Sequence, residues 1–276
     1  MSMAERRLTH DFAGLLLPVC LLMALGFAVP LAFIFHQSAF VPHFSLLQFA
    51  ELLESRLFLK VFVTTVEISL STSLVSLLLG YPVALHLSRT PSNRRALYMI
   101  LVLLPFWTSI LVKSYAFVII LGENGVVNSF LAGIGLPKGE LIFNRVGVLV
   151  GMANFFIPFV VFPVLANLLS HDPNLRRAAE VMGASKLRIF WTITFPLSLP
   201  GVMASFVLTF VLSLGFFVTP ALLGGRHDMM LANLIDFYTR ETLDWPAASA
   251  IAVVLLVTTA LLLALLGRVR GARSMV

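Results

Sequence analysis

Six stretches of this 276-residue chain stay apolar for about twenty residues or more, the length an α-helix needs to cross the hydrocarbon of a bilayer. They cover Phe12–Phe35, Val61–Leu87, Ala96–Leu121, Val146–Leu169, Leu197–Leu222 and Trp245–Leu266. With 59% hydrophobic and 12% charged residues, the chain is far too apolar for a soluble domain of this size. The expected fold class is an all-α membrane protein, one transmembrane domain over residues 1–276 with six spanning helices. Arg6 and Arg7 before the first run would also suit a signal peptide. That run is too long for a signal's apolar region, and no small-residue cleavage site follows, so an uncleaved first helix is expected.

The net charge of +6 would suggest nucleic acid in a soluble protein. Here the placement of the cations explains it. One set of connections holds Arg6, Arg7, Arg89, Arg94, Arg95, Arg176, Arg177, Lys186, Arg188, Arg268, Arg270 and Arg273. The opposite set holds Arg56, Lys60, Lys138, Arg145, Arg226 and Arg240. Cationic connections stay in the cytoplasm, so twelve against six places both termini there. The single cysteine, Cys20, excludes an intrachain disulfide. There is no phosphate-cradling glycine loop, no HExxH and no metal-spaced Cys/His set. No catalytic residue, metal site or cofactor is therefore expected on this chain.

Two segments on the outer side carry apolar residues at helical spacing: Leu46, Phe49, Ala50, Leu53 and Leu57, and Leu231, Leu234, Ile235 and Tyr238. Both read as short amphipathic helices along the membrane face. The glycine-rich stretch 122–145, with Asn124, Asn128 and Pro137, reads as an outer loop.

The longest polar interruption in the second half is Asp172–Gly201. Asp172 can cap a helix that begins at Pro173. Leu175, Ala178, Ala179 and Met182 then share one face. Gly183 suits a helix stop, Ser185 can cap a second helix, and that helix is expected to end before Pro196. Ala178, Ala179, Gly183 and Ala184 are small enough for another surface to approach closely.

Ala178-Ala179, then Gly183 after three residues, Ile193 and Pro196 resemble the EAA loop of ABC-importer permease subunits. Arg177 stands where that loop usually has Glu, and Phe195 where it usually has Leu before the proline. LGYPVALHLSR, LLPFWTSILVKSYAF and TPALLGG extend the resemblance to the spermidine/putrescine branch, over about Phe12 to Gly267. The resemblance implies a type I importer permease fold of the MetI-like kind, in a bacterial inner membrane. It implies that Ala178, Ala179, Met182, Gly183, Ala184 and Ser185 couple the chain to a cytoplasmic ATPase. It further implies a second permease subunit forming a heterodimer, two ATP-binding subunits that hold ATP-Mg, and a periplasmic solute-binding protein. The solute implied is a polyamine or similar amine. The branch also moves other small solutes, such as amino-acid derivatives, opines, phosphonates or ferric iron.

Ionisable residues inside spans are costly and face protein or water. Glu67 and Lys113 lie at similar depth, about 9 and 12 Å from the outer ends of their spans at ~1.5 Å per residue. That match predicts an ion pair, with a packing or snorkelling role, or a place on the solute pathway, as the alternatives; a lone carboxylate in the pathway would suit a cationic polyamine. Trp107, Tyr115, Phe106, Phe216 and Phe217 are candidates for a gate or a cation–π site, or for ordinary core and interface rings. A self-sufficient channel or secondary transporter would show an internal repeat, and none is visible. An intramembrane enzyme would need a polar partner for His86, and none is evident.

Overall fold

The computed structural model describes residues 3–39, 47–172 and 174–273, with side chains placed for 18–39, 48–172 and 174–264. Among the described residues the regular elements are all helical. They are α1 (Met3–Ala39), α2 (Leu47–Glu54), α3 (Arg56–Arg89), α4 (Ser92–Trp107), α5 (Ile110–Leu121), α6 (Val126–Gly133) and α7 (Arg145–Leu169). They continue with α8 (Asn174–Val181), α9 (Lys186–Ile189), a π-helical turn (Phe190–Thr194), α10 (Phe195–Leu214), α11 (Val218–Leu223), α12 (Leu231–Arg240) and α13 (Trp245–Arg273). Six stretches among them are long and apolar enough to cross a bilayer: Pro18–Ala39, Arg56–Arg89, Ile110–Gly133, Arg145–Leu169, Lys186–Leu214 and Trp245–Ala264. Their number matches the expectation from the sequence, but two are displaced: the third was expected over Ala96–Leu121 and takes in 122–133, which was expected as loop, and the fifth was expected over Leu197–Leu222.

The chain divides into two compact units, Met1–Ser55 with Ile235–Leu256, and Arg56–Leu234 with Val257–Val276. In the first, α1 leaves Leu22, Met23 and Phe27 at least 70% exposed, a surface only lipid or another protein can cover. Asp244 caps α13 by accepting the Ala247 N–H at 3.0 Å. The first amphipathic segment forms α2, but Ser55 ends it, so Leu57 belongs to α3. Leu46 lies outside the described residues.

In the second unit, α7 packs against α3 and α10. Ile68, Val148, Met152, Phe156, Leu223 and Met230 form one buried cluster. Ala84, Leu87, Val160, Val161, Val164 and Leu165 form another. Between membrane helices apolar burial gives little drive, so small residues and hydrogen bonds set the contacts. On α3, Thr65, Ser69, Thr72, Ser73 and Ser76 are buried, as are Ser205, Thr209 and Ser213 on α10. Thr65 donates to the Val61 carbonyl at 2.7 Å and accepts the Leu231 N–H at 2.9 Å, fixing the start of α12. A β-carbon on Gly80 would stand 2.8 Å from Val160, and one on Gly201 2.7 Å from Asn167. Both glycines therefore mark close helix approach against α7.

Two apolar runs are interrupted where continuous helices were expected. The third breaks at Thr108–Ser109, both with extended backbone. Pro105 lacks an N–H and weakens the helix before the break, and the Thr108 hydroxyl donates to the Pro105 carbonyl at 2.7 Å. The fifth breaks at Gly215–Phe217, separating α10 from α11. Pro196, by contrast, ends nothing. The chain passes from α9 through the π-helical turn into α10, with the proline in the first turn of α10. The wider π turn removes the clash between a proline ring and the carbonyl four residues back.

The 122–145 stretch is more ordered than a plain loop. It contains α6, and Asn128 is buried at its centre. The Asn128 amide donates to the Gly122 and Gly139 carbonyls at 3.0 Å each, and its oxygen accepts the Gly139 N–H at 2.9 Å.

Candidate functional site

The 172–201 segment folds as its sequence suggested at the turn. Pro173 lies outside the described residues, but Asp172 accepts the Asn174 N–H at 2.9 Å. Gly183 has φ +79°. The Ala184 N–H donates to the Ala179 carbonyl and the Gly183 N–H to the Glu180 carbonyl, both at 3.0 Å. That is the double bond pattern of a left-handed glycine stop, which satisfies carbonyls the helix end would orphan. Ser185 accepts the Arg188 N–H at 3.3 Å and starts α9.

The predicted face is not uniformly buried within the chain. Ala179 is buried, whereas Leu175, Ala178 and Met182 are exposed. Met182 comes after the last residue of α8, yet its N–H still donates to the Ala178 carbonyl at 3.0 Å, so the turn begins at Gly183. The most exposed apolar side chains of the segment are Val181 at 89%, Met182 at 80% and Leu187 at 70%. A helical-stripe reading overlooks Val181 and Leu187, because they flank the turn on different helices. Among the described residues, none beyond the glycine and its two chain neighbours comes within 4 Å of a β-carbon built on Gly183. Its constraint within the chain is therefore the left-handed backbone and not crowding.

The second half of the segment is tied to α3. The Tyr81 hydroxyl and Ser198 Oγ share a hydrogen bond at 2.9 Å. The Tyr81 ring meets Phe190 at 6.2 Å and Phe195 at 6.1 Å, edge to face. Each such aromatic pair is worth about 0.5–1.5 kcal/mol beyond its buried area, so a displacement of the segment is felt by α3.

The expected Glu67–Lys113 pair is absent. Glu67 accepts from Arg145 Nη1 at 2.7 Å, and Arg145 Nε reaches Asp228 at 3.5 Å. Equal depth in two spans does not set their rotation, and Arg145, at the head of α7, reaches Glu67 first. Asp228 is 9% exposed and also accepts the Gly225 N–H at 3.2 Å, so the network ties α3 and α7 to the connection between α11 and α12.

Lys113 lies on the inward stripe of α5, beside the buried Ser114 and the half-buried Phe117 and Val118. Its Nζ is shielded from solvent and has no hydrogen-bond partner among the described residues. It stands 5.0 Å from the centroid of the Phe155 ring. A desolvated cation–π contact is worth about 2 kcal/mol, while burying an ammonium costs several. The ring alone does not offset that cost.

Phe106 and Phe216 join this neighbourhood. Phe106 meets Phe155 at 6.0 Å and Phe159 at 5.6 Å, and Phe216 meets Phe155 at 5.0 Å and Phe156 at 5.2 Å. Phe155, Phe156 and Phe159 escaped the sequence reading because, in an unbroken apolar run, nothing distinguishes them from lipid-facing rings. Trp107 at 74% exposed and Tyr115 at 58% stand apart from the cluster.

Residues 69–271 match the family model described as the binding-protein-dependent transport system inner membrane component. The chain is 32% identical over 222 residues to the spermidine/putrescine transport system permease protein PotB of Escherichia coli, covering 80% of each. It is 34% identical over 160 residues to the molybdenum transport system permease protein ModB of Haemophilus influenzae, 56% of this chain and 69% of that protein. A chain in the crystal structure of a bacterial ABC transporter that imports alginate superposes with a TM-score of 0.72. It is 22% identical, and the match covers 97% of this chain and 99% of that one. Six apolar helices, the left-handed glycine stop between α8 and α9, and these matches lead to one conclusion. This chain is an ABC-importer permease, a multi-pass membrane subunit belonging to the family of binding-protein-dependent transport system inner membrane components, with relatives in its spermidine/putrescine branch.

Proposed function

We propose that the chain forms half of the pathway of an ATP-driven importer that carries a polyamine or similar small amine from periplasm to cytoplasm. A second permease subunit supplies the other half, and two ATP-binding subunits carry ATP-Mg and the hydrolysis. A periplasmic solute-binding protein delivers the solute. Both termini and the 172–201 segment face the cytoplasm, in keeping with the twelve-to-six division of cations. The spermidine/putrescine systems named among the relatives support the solute class.

The observation that carries the coupling role is the turn at Gly183. It presents Val181, Met182 and Leu187 as one exposed apolar knuckle between two helices. Exposed apolar side chains of that size suit a groove on another protein. Because α9 runs on into α10 and Tyr81 ties the segment to α3, a push on the knuckle reaches two spanning helices. The test is co-purification of the ATP-binding subunits and ATP-driven uptake with Gly183→Asp, whose membrane level is expected to stay normal and is measured alongside. Loss of both is expected. Normal co-purification and uptake would remove the coupling role from this segment.

A further inference from the structure

Where α3 and α7 end, the chain forms a hollow of about 370 Å³, a size within the range of about 300–1,000 Å³ usual for small-molecule sites. The polar part of its lining is cationic. Arg89 comes from the end of α3, Arg95 from the first turn of α4 and Arg176 from α8. The carboxylate beside them, Asp172, already accepts the Asn174 N–H at 2.9 Å. Arg95 is held in place, since its Nε donates to the Leu87 carbonyl at 3.0 Å and its Nη2 to the Thr90 carbonyl at 2.8 Å. Arg89 makes no hydrogen bond or ion pair among the described residues. Arg176 meets Glu180 only at 3.5 Å. A second, adjoining hollow shares Arg89 and Arg176 and adds Lys186.

Guanidinium groups gathered in this way suit a phosphate, which they can hold by paired hydrogen bonds. The rest of the wall is aliphatic, with Leu85, Leu168, Leu175, Ile193 and Leu197. A free phosphate gains nothing from that wall. A phospholipid carries glycerol and upper acyl carbons next to its phosphodiester and uses both halves. The depth agrees, because Arg89 and Leu169 are the last residues of two spans. Basic pockets at that level between spanning helices take the headgroups of anionic lipids. A zwitterionic lipid would bring an ammonium toward three arginines. Val181, Met182 and Leu187, the knuckle proposed to meet the ATP-binding subunit, lie outside the lining of the first hollow.

We propose that this hollow seats the phosphodiester of an anionic phospholipid of the cytoplasmic leaflet, on Arg89, Arg95 and Arg176. The lipid ties α8 to the ends of α3 and α7 and so belongs to the joint between the 172–201 segment and the spans. The choice of leaflet rests on the permease reading above.

The experiment places the assembled transporter, with its ATP-binding subunits, in nanodiscs of phosphatidylcholine and phosphatidylglycerol. Native mass spectrometry then counts the lipids it retains. Wild type is expected to retain phosphatidylglycerol over phosphatidylcholine. Arg89→Gln has no internal hydrogen bond or ion pair to lose, and it should lower that preference about tenfold, the factor a charge-assisted hydrogen bond carries. Arg94→Gln, a cation outside both hollows, should leave the preference unchanged. Equal retention of the two lipids by wild type, or an unchanged preference in Arg89→Gln, overturns the lipid seat. Displacement of the lipid by added glycerol 3-phosphate would make a free phosphate the occupant and also overturns it. Loss of the ATP-binding subunits from Arg89→Gln with the lipid preference intact assigns that arginine to the subunit interface instead. Failure of the wild-type chain to co-purify with ATP-binding subunits would overturn the permease reading, whatever lipid is retained.

Discussion

At the scale of single residues, the left-handed backbone of Gly183 and the ion network of Arg145 make separable claims. A side chain at φ +79° costs about 1–2 kcal/mol, and no crowding adds to it. Gly183→Ala should therefore lower the melting temperature of the purified subunit only slightly, while Gly183→Asp abolishes binding of the ATP-binding subunits. Equal retention of those subunits by the two variants would show that charge at the knuckle is irrelevant. In the network, Arg145 is the shared partner of Glu67 and Asp228. Removing it leaves the nearly buried Asp228 without a counter-charge, a loss of about 1–3 kcal/mol. Glu67 is 52% exposed, so its half of the network is worth no more than about 1 kcal/mol. Thermal unfolding in detergent should rank Arg145→Gln well below Glu67→Gln, and the reverse order would remove Asp228 from the argument. Arg145 was legible as a cation near a span end. Its partners were not, because side-chain reach depends on how α3 and α7 are rotated.

Among the elements, the approach of α10 to α7 is the sharpest constraint. A β-carbon on Gly201 would meet Asn167 Cβ at 2.7 Å and the Pro163 carbonyl at 3.1 Å, and backbone cannot move aside as a flexible side chain can. Overpacking of this kind costs about 1–3 kcal/mol. Gly201→Val should halve or worse the yield of folded subunit on size-exclusion chromatography, and normal yield and melting temperature would mean the two helices are not so tightly set. The interruptions at Thr108–Ser109 and Gly215–Phe217 belong to this scale too. Pro105 and Gly215 marked both runs as weak. Even so, Pro158 and Pro163 sit inside the unbroken α7, so proline alone does not say which helix parts. At the first break the Thr108 hydroxyl donates to the Pro105 carbonyl.

For the whole molecule, the testable statement is orientation. After Cys20→Ala removes the single native thiol, an impermeant maleimide added to intact cells should label Lys138→Cys and Arg226→Cys. It should spare Arg94→Cys and Ser185→Cys. Labelling of Ser185→Cys in sealed cells would invert the topology and take the 172–201 segment away from any cytoplasmic partner. The exposed apolar surface of α1 fits a chain covered by lipid or another protein.

Span number, the cationic bias and the stop at Gly183 were decided by the sequence alone. Each depends on local quantities: the apolar length of a run, the charge of a connection, the backbone freedom of one residue. The caps at Asp172 and Ser185 are equally local, since donor and acceptor lie within three positions. Tertiary structure alone decided that Glu67 meets Arg145 and not Lys113, and that Ala179 turns inward while Val181 turns out. It alone brought Phe106 and Phe216 against Phe155, and the Lys113 ammonium over the Phe155 ring. Those outcomes follow from helix rotation and packing, and in spanning helices that are apolar on every side the hydrophobic pattern says little about rotation.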